Sequence, residues 1–419
     1  MKICVLTLGC KVNEYESDSL IFALEKLGYE VSNKLSFADV YIINTCAVTN
    51  EAERKSRQII AKTEKLNKNA KVFVCGCASE KNKANFEDIK NVKFISGVAN
   101  KMKIIDKIEK INKKVEIDKL SNVYEDNLYA KTTKTRAYIK IQDGCNNFCS
   151  YCIIPYLRGR SRSRNIISIL NEIKQLNDDV KEVVITGIDI SSFKIDDEPA
   201  LDKLLLLLKD FNFRIRLGSL EQGVVSPEFL EAIKHMKNLC PHFHLSLQSG
   251  CDSVLKRMNR HYKTNDFLKT IVELRKIYNN PAITTDVIVG FPEETDKEFE
   301  QTCKFIKKVK FSDIHIFPYS QRTGTVASKF KQINGEIKRE RVHKLEKIKE
   351  KLKNSYIKKC KKGYHSLLIE EKDGEFFVGH SENYIKCYVK DENLFENTFV
   401  NVKILKPFKD GAICRVLKR

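Results

Sequence analysis

The run Asp143-Gly144-Cys145-Asn146-Asn147-Phe148-Cys149-Ser150-Tyr151-Cys152 places three thiols within eight residues, just after the β-branched stretch Ala137–Ile141. Thiolate is a soft ligand that selects zinc, copper(I) or iron–sulfur. A structural zinc site wants four closed ligands, usually as paired knuckles. No fourth ligand lies near, since the next thiol is Cys240. Three ligands leave one position open, and in a four-iron cluster one iron is then free to bind a small molecule directly. The loop also sits at the carboxyl end of a predicted strand, where parallel α/β folds build their sites.

Outward from this loop, a strand–helix rhythm runs from Arg136 to about Leu352. Ala137–Ile141, Glu182–Thr186, Arg214–Leu217, His242–Leu247, Ile283–Val289 and Ile314–Phe317 read as strands. Ile166–Leu176, Leu201–Lys209, Pro227–Met236, Thr264–Tyr278 and Asp296–Val309 read as the helices between them. Six such units predict a full or partial parallel barrel.

Upstream, Lys2–Leu8, Val40–Ile43, Lys71–Cys75 and Phe94–Ile95 alternate with helical stretches at Ser17–Leu27, Ala52–Leu66 and Met102–Ile111. That alternation predicts a doubly wound parallel sheet. Lys113–Thr135 is polar and aperiodic, and reads as a linker. Downstream of the basic helical stretch Ile337–Lys359, five short β runs between Leu367 and Leu417 predict a small β-barrel. The chain therefore reads as α/β multidomain, with units at 1–115, 131–355 and 356–419.

A second set of thiols is dispersed: Cys10 in TLGCKVN, Cys46 in NTCAVTN and Cys77 in CGCASE. Each follows one of the first three predicted upstream strands, so all three fall on the carboxyl edge of one sheet and can converge. Cys75 reads as a strand residue, and Cys4, Cys240, Cys251, Cys303, Cys360, Cys387 and Cys414 as packing residues.

The contiguous cluster resembles the radical S-adenosylmethionine (SAM) superfamily. The series TLGCKVN, NTCAVTN, GC, DGCNNFCSYCIIPYLRGRSRSR and LSLQSGCDSVLKRMNR, ending in a β-barrel tail, resembles the radical SAM methylthiotransferases over essentially the whole chain. The resemblance implies a [4Fe–4S] cluster on Cys145, Cys149 and Cys152, whose open iron chelates SAM and generates a 5′-deoxyadenosyl radical. It implies a second, auxiliary [4Fe–4S] cluster on Cys10, Cys46 and Cys77, a middle radical SAM (β/α) partial barrel and a TRAM tail. GCKVN, GRSRSR and GHSENYIK resemble the branch that methylthiolates C2 of N6-threonylcarbamoyladenosine next to the tRNA anticodon, at position 37. The alternatives are the branches acting on isopentenyladenosine tRNA or a ribosomal-protein aspartate, and, from another class, a non-catalytic iron–sulfur RNA-binding protein. An electron donor such as flavodoxin or ferredoxin is implied as a partner.

Gly187, Gln248, Gly290 and Glu293 follow predicted strands and are candidate SAM contacts. The family pattern is not kept everywhere: GFPEET stands where GFPGET is common, SLEQ where SIEP is, and CASE where CYAQ is.

Composition narrows the class. The 419 residues carry a net charge of +20 and 14 Cys. A disulfide scaffold runs above roughly 8–10 % Cys, so grouped thiols here read as ligands in a reducing compartment. The longest purely apolar run, Leu204–Leu208, is far below the roughly 20 residues of a membrane span. The expectation is a cytoplasmic protein without a membrane partner. Lys331–Lys362 holds 13 Lys and Arg against 4 Asp and Glu, a local +9. Arg158, Arg160, Arg162 and Arg164 alternate, so an extended segment would put all four on one side, toward an RNA backbone. The other reading of the lysines is a solvated face.

Overall fold

The computed structural model describes residues 1–111, 114–126, 129 and 135–417. Strands β1 (Lys2–Thr7), β2 (Glu30–Ser32), β3 (Val40–Thr45), β4 (Lys71–Gly76), β5 (Val92–Ser96) and β6 (Val115–Glu116) form a parallel sheet in the order β2-β1-β3-β4-β5-β6. Neighbouring residues of one strand point to opposite faces. Tyr41, Ile43, Val72 and Val74 accordingly join one core, and Ile42 and Phe73 another. Burial on both faces makes these strands unbroken apolar runs.

Two expectations change here. β6 falls inside the stretch that reads as a linker; residues 112, 113, 127, 128 and 130–134, with the expected boundary at 131, lie outside the described residues. The helix expected at Ser17–Leu27 spans Lys11–Lys26, with Cys10 at its N-cap. Its first turns (VNEYESDS) are polar yet buried. Leu20 and Leu24 face the sheet, while the polar side is covered by the next unit, so no apolar stripe marks where the helix starts.

The middle unit contains β7 (Arg136–Asp143), β8 (Arg162–Ser163), β9 (Glu182–Gly187), a hairpin of β10 (Lys194–Ile195) and β11 (Glu198–Pro199), β12 (Arg214–Leu217), β13 (Ser219–Leu220), β14 (His242–Leu245), β15 (Ala282–Val289) and β16 (Asp313–Pro318). β12 and β13 are one path that changes partner at Gly218, from β9 to β14. The result is a parallel arc, β7, β9, β12/β13, β14, β15, β16, with β8 antiparallel on its outer edge. Ile139, Ile185, Ile215, Phe243, Ile283 and Ile314 point outward under the helices. The first helix, Lys11–Lys26, packs against β7 and β9.

The tail strands β17 (His365–Asp373), β18 (Phe376–Ser381), β19 (Lys386–Val389), β20 (Phe399–Phe408) and β21 (Gly411–Val416) close into a five-stranded barrel. The long helix Gly335–Cys360 joins the units: Leu345 and Ile348 sit in the middle core, Tyr356 and Ile357 in the tail core.

Tail docking is polar and buried. Glu182 is fully buried and accepts from Arg136 at 2.6 Å, Arg214 at 2.7 Å and Arg216 at 2.9 Å. The arginines also reach the tail, at Glu370 (2.8 Å) and the carbonyls of Ser366 (2.8 Å) and Ser381 (3.2 Å). Despite burial, which raises it, these cations hold Glu182 well below the usual carboxylate range. Tyr384, from GHSENYIK, stacks between His242 and His380 with ring centroids 4.6 Å from each. No helix among the described residues is long and apolar enough to cross a membrane.

Candidate active site

The contiguous thiols lie on the loop leaving β7. Gly144 has φ +71°, and a Cβ there would fall 2.0 Å from the Arg160 carbonyl oxygen. Cys145 N–H donates to the Gly159 carbonyl at 3.1 Å and Cys152 N–H to the Cys149 carbonyl at 2.9 Å, so the loop is folded by its own backbone. Asn147 N–H donates to Cys145 Sγ at 3.5 Å, and Arg260 Nη1 to Cys149 Sγ at 3.2 Å. Burial, reinforced by the neighbouring thiols, pushes Cys145 and Cys152 each up to about 12. Three thiols on one short loop suit a polynuclear cation, which deprotonates coordinating thiols outright.

Arg260 and Glu221 stand beside the contiguous thiols and are not among the residues that the sequence singles out. Arg260 is ion-paired with Glu221 and also donates to the Ser246 carbonyl at 3.2 Å. Tyr262 donates to the same carbonyl at 2.6 Å. Glu221 and burial raise nearby Asp189 to about 6, burial being the larger cause. Arg260 lies 111 residues beyond Cys149, so no local pattern connects them.

Cys10, Cys46 and Cys77 follow β1, β3 and β4, three neighbours in the sheet. Gly9, at φ +104°, lets the loops touch: a Cβ there would lie 2.7 Å from Cys46 Cβ. Asn13 Nδ2 ties the loops together through the carbonyls of Leu8 (2.7 Å) and Thr45 (3.1 Å). Burial, then the charges of Cys77 and Cys10, pushes Cys46 up to about 12. Cys46 and Cys77 are buried and Cys10 is exposed, which leaves this triad open on one side. The other eight cysteines are all buried.

Arg158 joins the first helix to the end of β7, just before the contiguous thiols. It ends the short helix Ile154–Arg158 and is 1 % exposed. Its guanidinium donates to Glu16 (2.8 Å) and Asn13 (2.8 Å) on the first helix and to Asp143 (3.1 Å) beside the contiguous loop. It also lies against the Cys77 thiol and lowers it, against the larger effect of burial. Lys140 and Lys101 complete the cluster around Glu16. Burial raises Asp143, but Lys140 and Arg158 overcome it and hold Asp143 at about 2.

This geometry corrects the arginine reading. Only Arg162–Ser163 is strand, so the alternation does not continue along one face. Arg158 and Arg164 are buried in ion pairs, Arg164 with Asp126 and Glu172. Arg162 donates to the carbonyls of Arg158 (2.8 Å) and Arg160 (3.0 Å). Arg160 alone is exposed, over the Phe148 ring at 4.4 Å.

The expected SAM residues also separate. A Cβ on Gly187 would meet Gln142 and Ile190 at 3.0 Å, and one on Gly290 would meet Lys338 at 2.5 Å, so protein packing already accounts for both glycines. Gln248 is half-buried, its backbone bridging to Asp286 and Ile288 at 2.9 Å. Glu293 is exposed at φ +63°; its neighbour Glu294 is the buried one, paired with Arg341 at 2.8 Å. Glutamate thus occupies a left-handed backbone position that favours glycine.

In the basic helix, Lys344, Lys349 and Lys353 are ion-paired, whereas Lys347, Lys351, Lys358 and Lys359 are exposed. Of the tail aromatics, Tyr364 is exposed; Phe377 and Tyr388 are buried, Phe376 packs on Tyr388, and Tyr384 is stacked at the domain junction.

A six-strand parallel arc with three thiols at its mouth, fused to a second α/β sheet and a closed β-barrel, defines the radical SAM class of proteins. Residues 139–306 match the model of the Radical SAM superfamily, and residues 2–97 the model described as Uncharacterized protein family UPF0004. The radical SAM methyltransferase TsrM from Kitasatospora setae shares the fold, at TM-score 0.57 and 13 % identity over 78 % of this chain and 77 % of that one.

The chain is 36 % identical to the threonylcarbamoyladenosine tRNA methylthiotransferase MtaB of Bacillus subtilis, over 98 % of this chain and 96 % of the relative. It is 37 % identical to the protein of the same name from Thermotoga maritima, with 98 % and 96 % covered. Identity is 33 % to the tRNA-2-methylthio-N(6)-dimethylallyladenosine synthase of Thermoanaerobacter pseudethanolicus, covering 95 % and 89 %. The chain belongs to the radical SAM methylthiotransferase family.

Proposed function

We propose that this protein converts N6-threonylcarbamoyladenosine at tRNA position 37 to its 2-methylthio derivative. The observation that carries the reading is the pair of thiol triads, tied together where buried Arg158 bonds Glu16 and Asn13 beside one and Asp143 beside the other. The similarity to relatives named for this substrate, at 36 % and 37 %, supports it over the dimethylallyl reading at 33 %.

Cys145, Cys149 and Cys152 would hold one [4Fe–4S] cluster, and Cys10, Cys46 and Cys77 an auxiliary one. When bound, these groups supply reductive cleavage of SAM and the sulfur that is transferred. The chain's own part is positioning. Arg260 donates to the Cys149 sulfur and keeps it oriented. Arg158, Glu16 and Asp143 fix the separation between the two loops, and the buried walls exclude water from a reactive radical. A ferredoxin or flavodoxin would deliver the electron. Exposed Arg160, Lys347, Lys351, Lys358 and Lys359 of the long helix and Tyr364 are suited to contact phosphates and bases.

Mass spectrometry of tRNA nucleosides from a strain lacking the gene tests the reading. The methylthio derivative of threonylcarbamoyladenosine should vanish while its precursor accumulates. If that nucleoside persists and the methylthio derivative of isopentenyladenosine disappears instead, the substrate is the other one.

A further inference from the structure

The inner wall of the barrel carries a polar set that neither triad uses. Phe243, Leu245, Ile283, Val287 and Ile314 point outward into the core. The intervening residues on the same strands, His242, His244, Thr284, Asp286 and His315, therefore point inward. His244 Nε2 lies 3.3 Å from Asp286 Oδ1, and its Nδ1 lies 3.0 Å from Thr284 Oγ1. The His315 ring is 5.6 Å from that of His244.

Lys11 approaches that wall from the first helix, which packs on β7 and β9. It is the first residue of the helix capped by Cys10. Asp286, Glu182, Arg136, Arg216 and His242 lie within electrostatic range of its ammonium. Glu182 is already shared by three arginines. Among the described residues, Lys11 has no carboxylate within ion-pair distance, whereas Arg136, Arg214 and Arg216 all do. Lys11 is only partly exposed; an ammonium so placed with no carboxylate in contact is under-compensated, and an anionic ligand would pair it.

We propose that Lys11, with the His244–Asp286–His315 set, is the receptor for a carboxylate-bearing substituent on the N6 position of the target adenine. This rests on the function proposed above. A threonyl group joined through a carbamoyl to N6 keeps a free carboxylate and a hydroxyl; an isopentenyl group has neither. Lys11 is the counter-ion of the carboxylate, and the histidines and Asp286 offer donors and an acceptor for the rest of the tail. The placement also fits the geometry of adenine. N6 and C2 flank N1 on one edge of the ring, so the tail receptor has to lie beside the group that delivers sulfur to C2. Lys11 follows Cys10 directly. A wall built to pair polar groups rejects an apolar tail more strongly than an apolar wall rejects a polar one, because its own groups are left unpaired.

The test uses the full-length, cluster-reconstituted protein and anticodon hairpins whose adenosine 37 is unmodified, threonylcarbamoylated, or carries the methyl ester of that acid. Affinity is read by fluorescence anisotropy. Wild type should bind the acid at least about tenfold more tightly than the ester, the scale of a hydrogen bond to a charged group. Lys11→Gln and, separately, His315→Asn should shrink that ratio, Lys11→Gln toward unity. Lys11→Arg should keep it. Wild-type affinity for the unmodified hairpin verifies that each variant is folded. A Lys11→Gln protein that keeps the acid-over-ester preference overturns the receptor. So does a stoichiometric zinc on the wild type that is lost in His315→Asn, because the ring nitrogens would then be occupied. Failure of the function reading is separate: wild type would not methylthiolate the threonylcarbamoylated hairpin at all. Turnover of that hairpin without acid-over-ester preference removes the receptor alone.

Discussion

The two thiol triads are assembled by opposite routes. Cys145, Cys149 and Cys152 sit on one loop that its own backbone closes, through bonds such as Cys145 N–H to the Gly159 carbonyl. Cys10, Cys46 and Cys77 lie on three loops and meet only because β1, β3 and β4 are neighbours in register. The first triad is a property of a short peptide, the second of a folded sheet. Local sequence spacing can encode a ligand set; so can topology, but then every strand of the sheet becomes part of the site.

Cysteine replacement breaks the comparison most directly. Cys149→Ala should remove one cluster's worth of iron and abolish both 5′-deoxyadenosine and methylthio product, with RNA still bound. Cys46→Ala should lose the other cluster and the product, yet still cleave SAM. Anaerobic iron counting and chromatography of the nucleosides check both. Methylthio product from either variant would show that its triad is not a ligand set.

Arg158 sharpens the comparison, because it is the residue both routes share. Arg158→Ala leaves Glu16 and Asp143 buried with fewer partners, and breaking a buried pair costs about 3–5 kcal/mol. Denaturant unfolding should show that loss, and the auxiliary iron should leave first, since the contiguous loop holds itself. Wild-type stability in this variant would mean that the two sites are not coupled through the guanidinium.

A smaller effect is expected at Glu293, again a local matter. Its φ of +63° is a position that costs a side-chain-bearing residue about 1–2 kcal/mol relative to an ordinary conformation. Glu293→Gly should stabilise the middle unit by up to about 1 kcal/mol, measurable as a raised melting temperature.

The smallest effect concerns the tail, whose placement is entirely tertiary. Burial lowers the His365 imidazole, but Glu382, at 2.7 Å, and the Cys360 carbonyl outweigh it and raise it above 6.5. A histidine raised on folding contributes stability that is fully present below its unfolded value and lost as pH rises through its folded one. The melting advantage of wild type over His365→Gln should therefore shrink as pH rises above 6.5. An advantage that grows with pH would contradict the pairing.

Much of this was legible in the residues alone. The parallel sheets and the tail barrel follow from apolar runs and turns, because strands buried on both faces carry no polar interruption. The eight isolated cysteines read as packing and are buried. Two of the departures share one cause. The first helix begins at Lys11 rather than near Ser17, and two of the four alternating arginines are buried instead of facing RNA. In each case a second domain covers polar residues that local sequence marks as exposed.

The sequence by itself determined the spacing of the contiguous thiols, the parallel α/β class and the β-barrel tail, since these depend on neighbours along the chain. Only the tertiary structure decided that Arg158 bonds Glu16 and Asp143, that Arg260 meets Cys149 and that Arg164 pairs with Asp126. Those contacts join residues far apart in sequence. Their ionised groups tolerate burial only where the folded chain supplies, or leaves room for, an opposite charge.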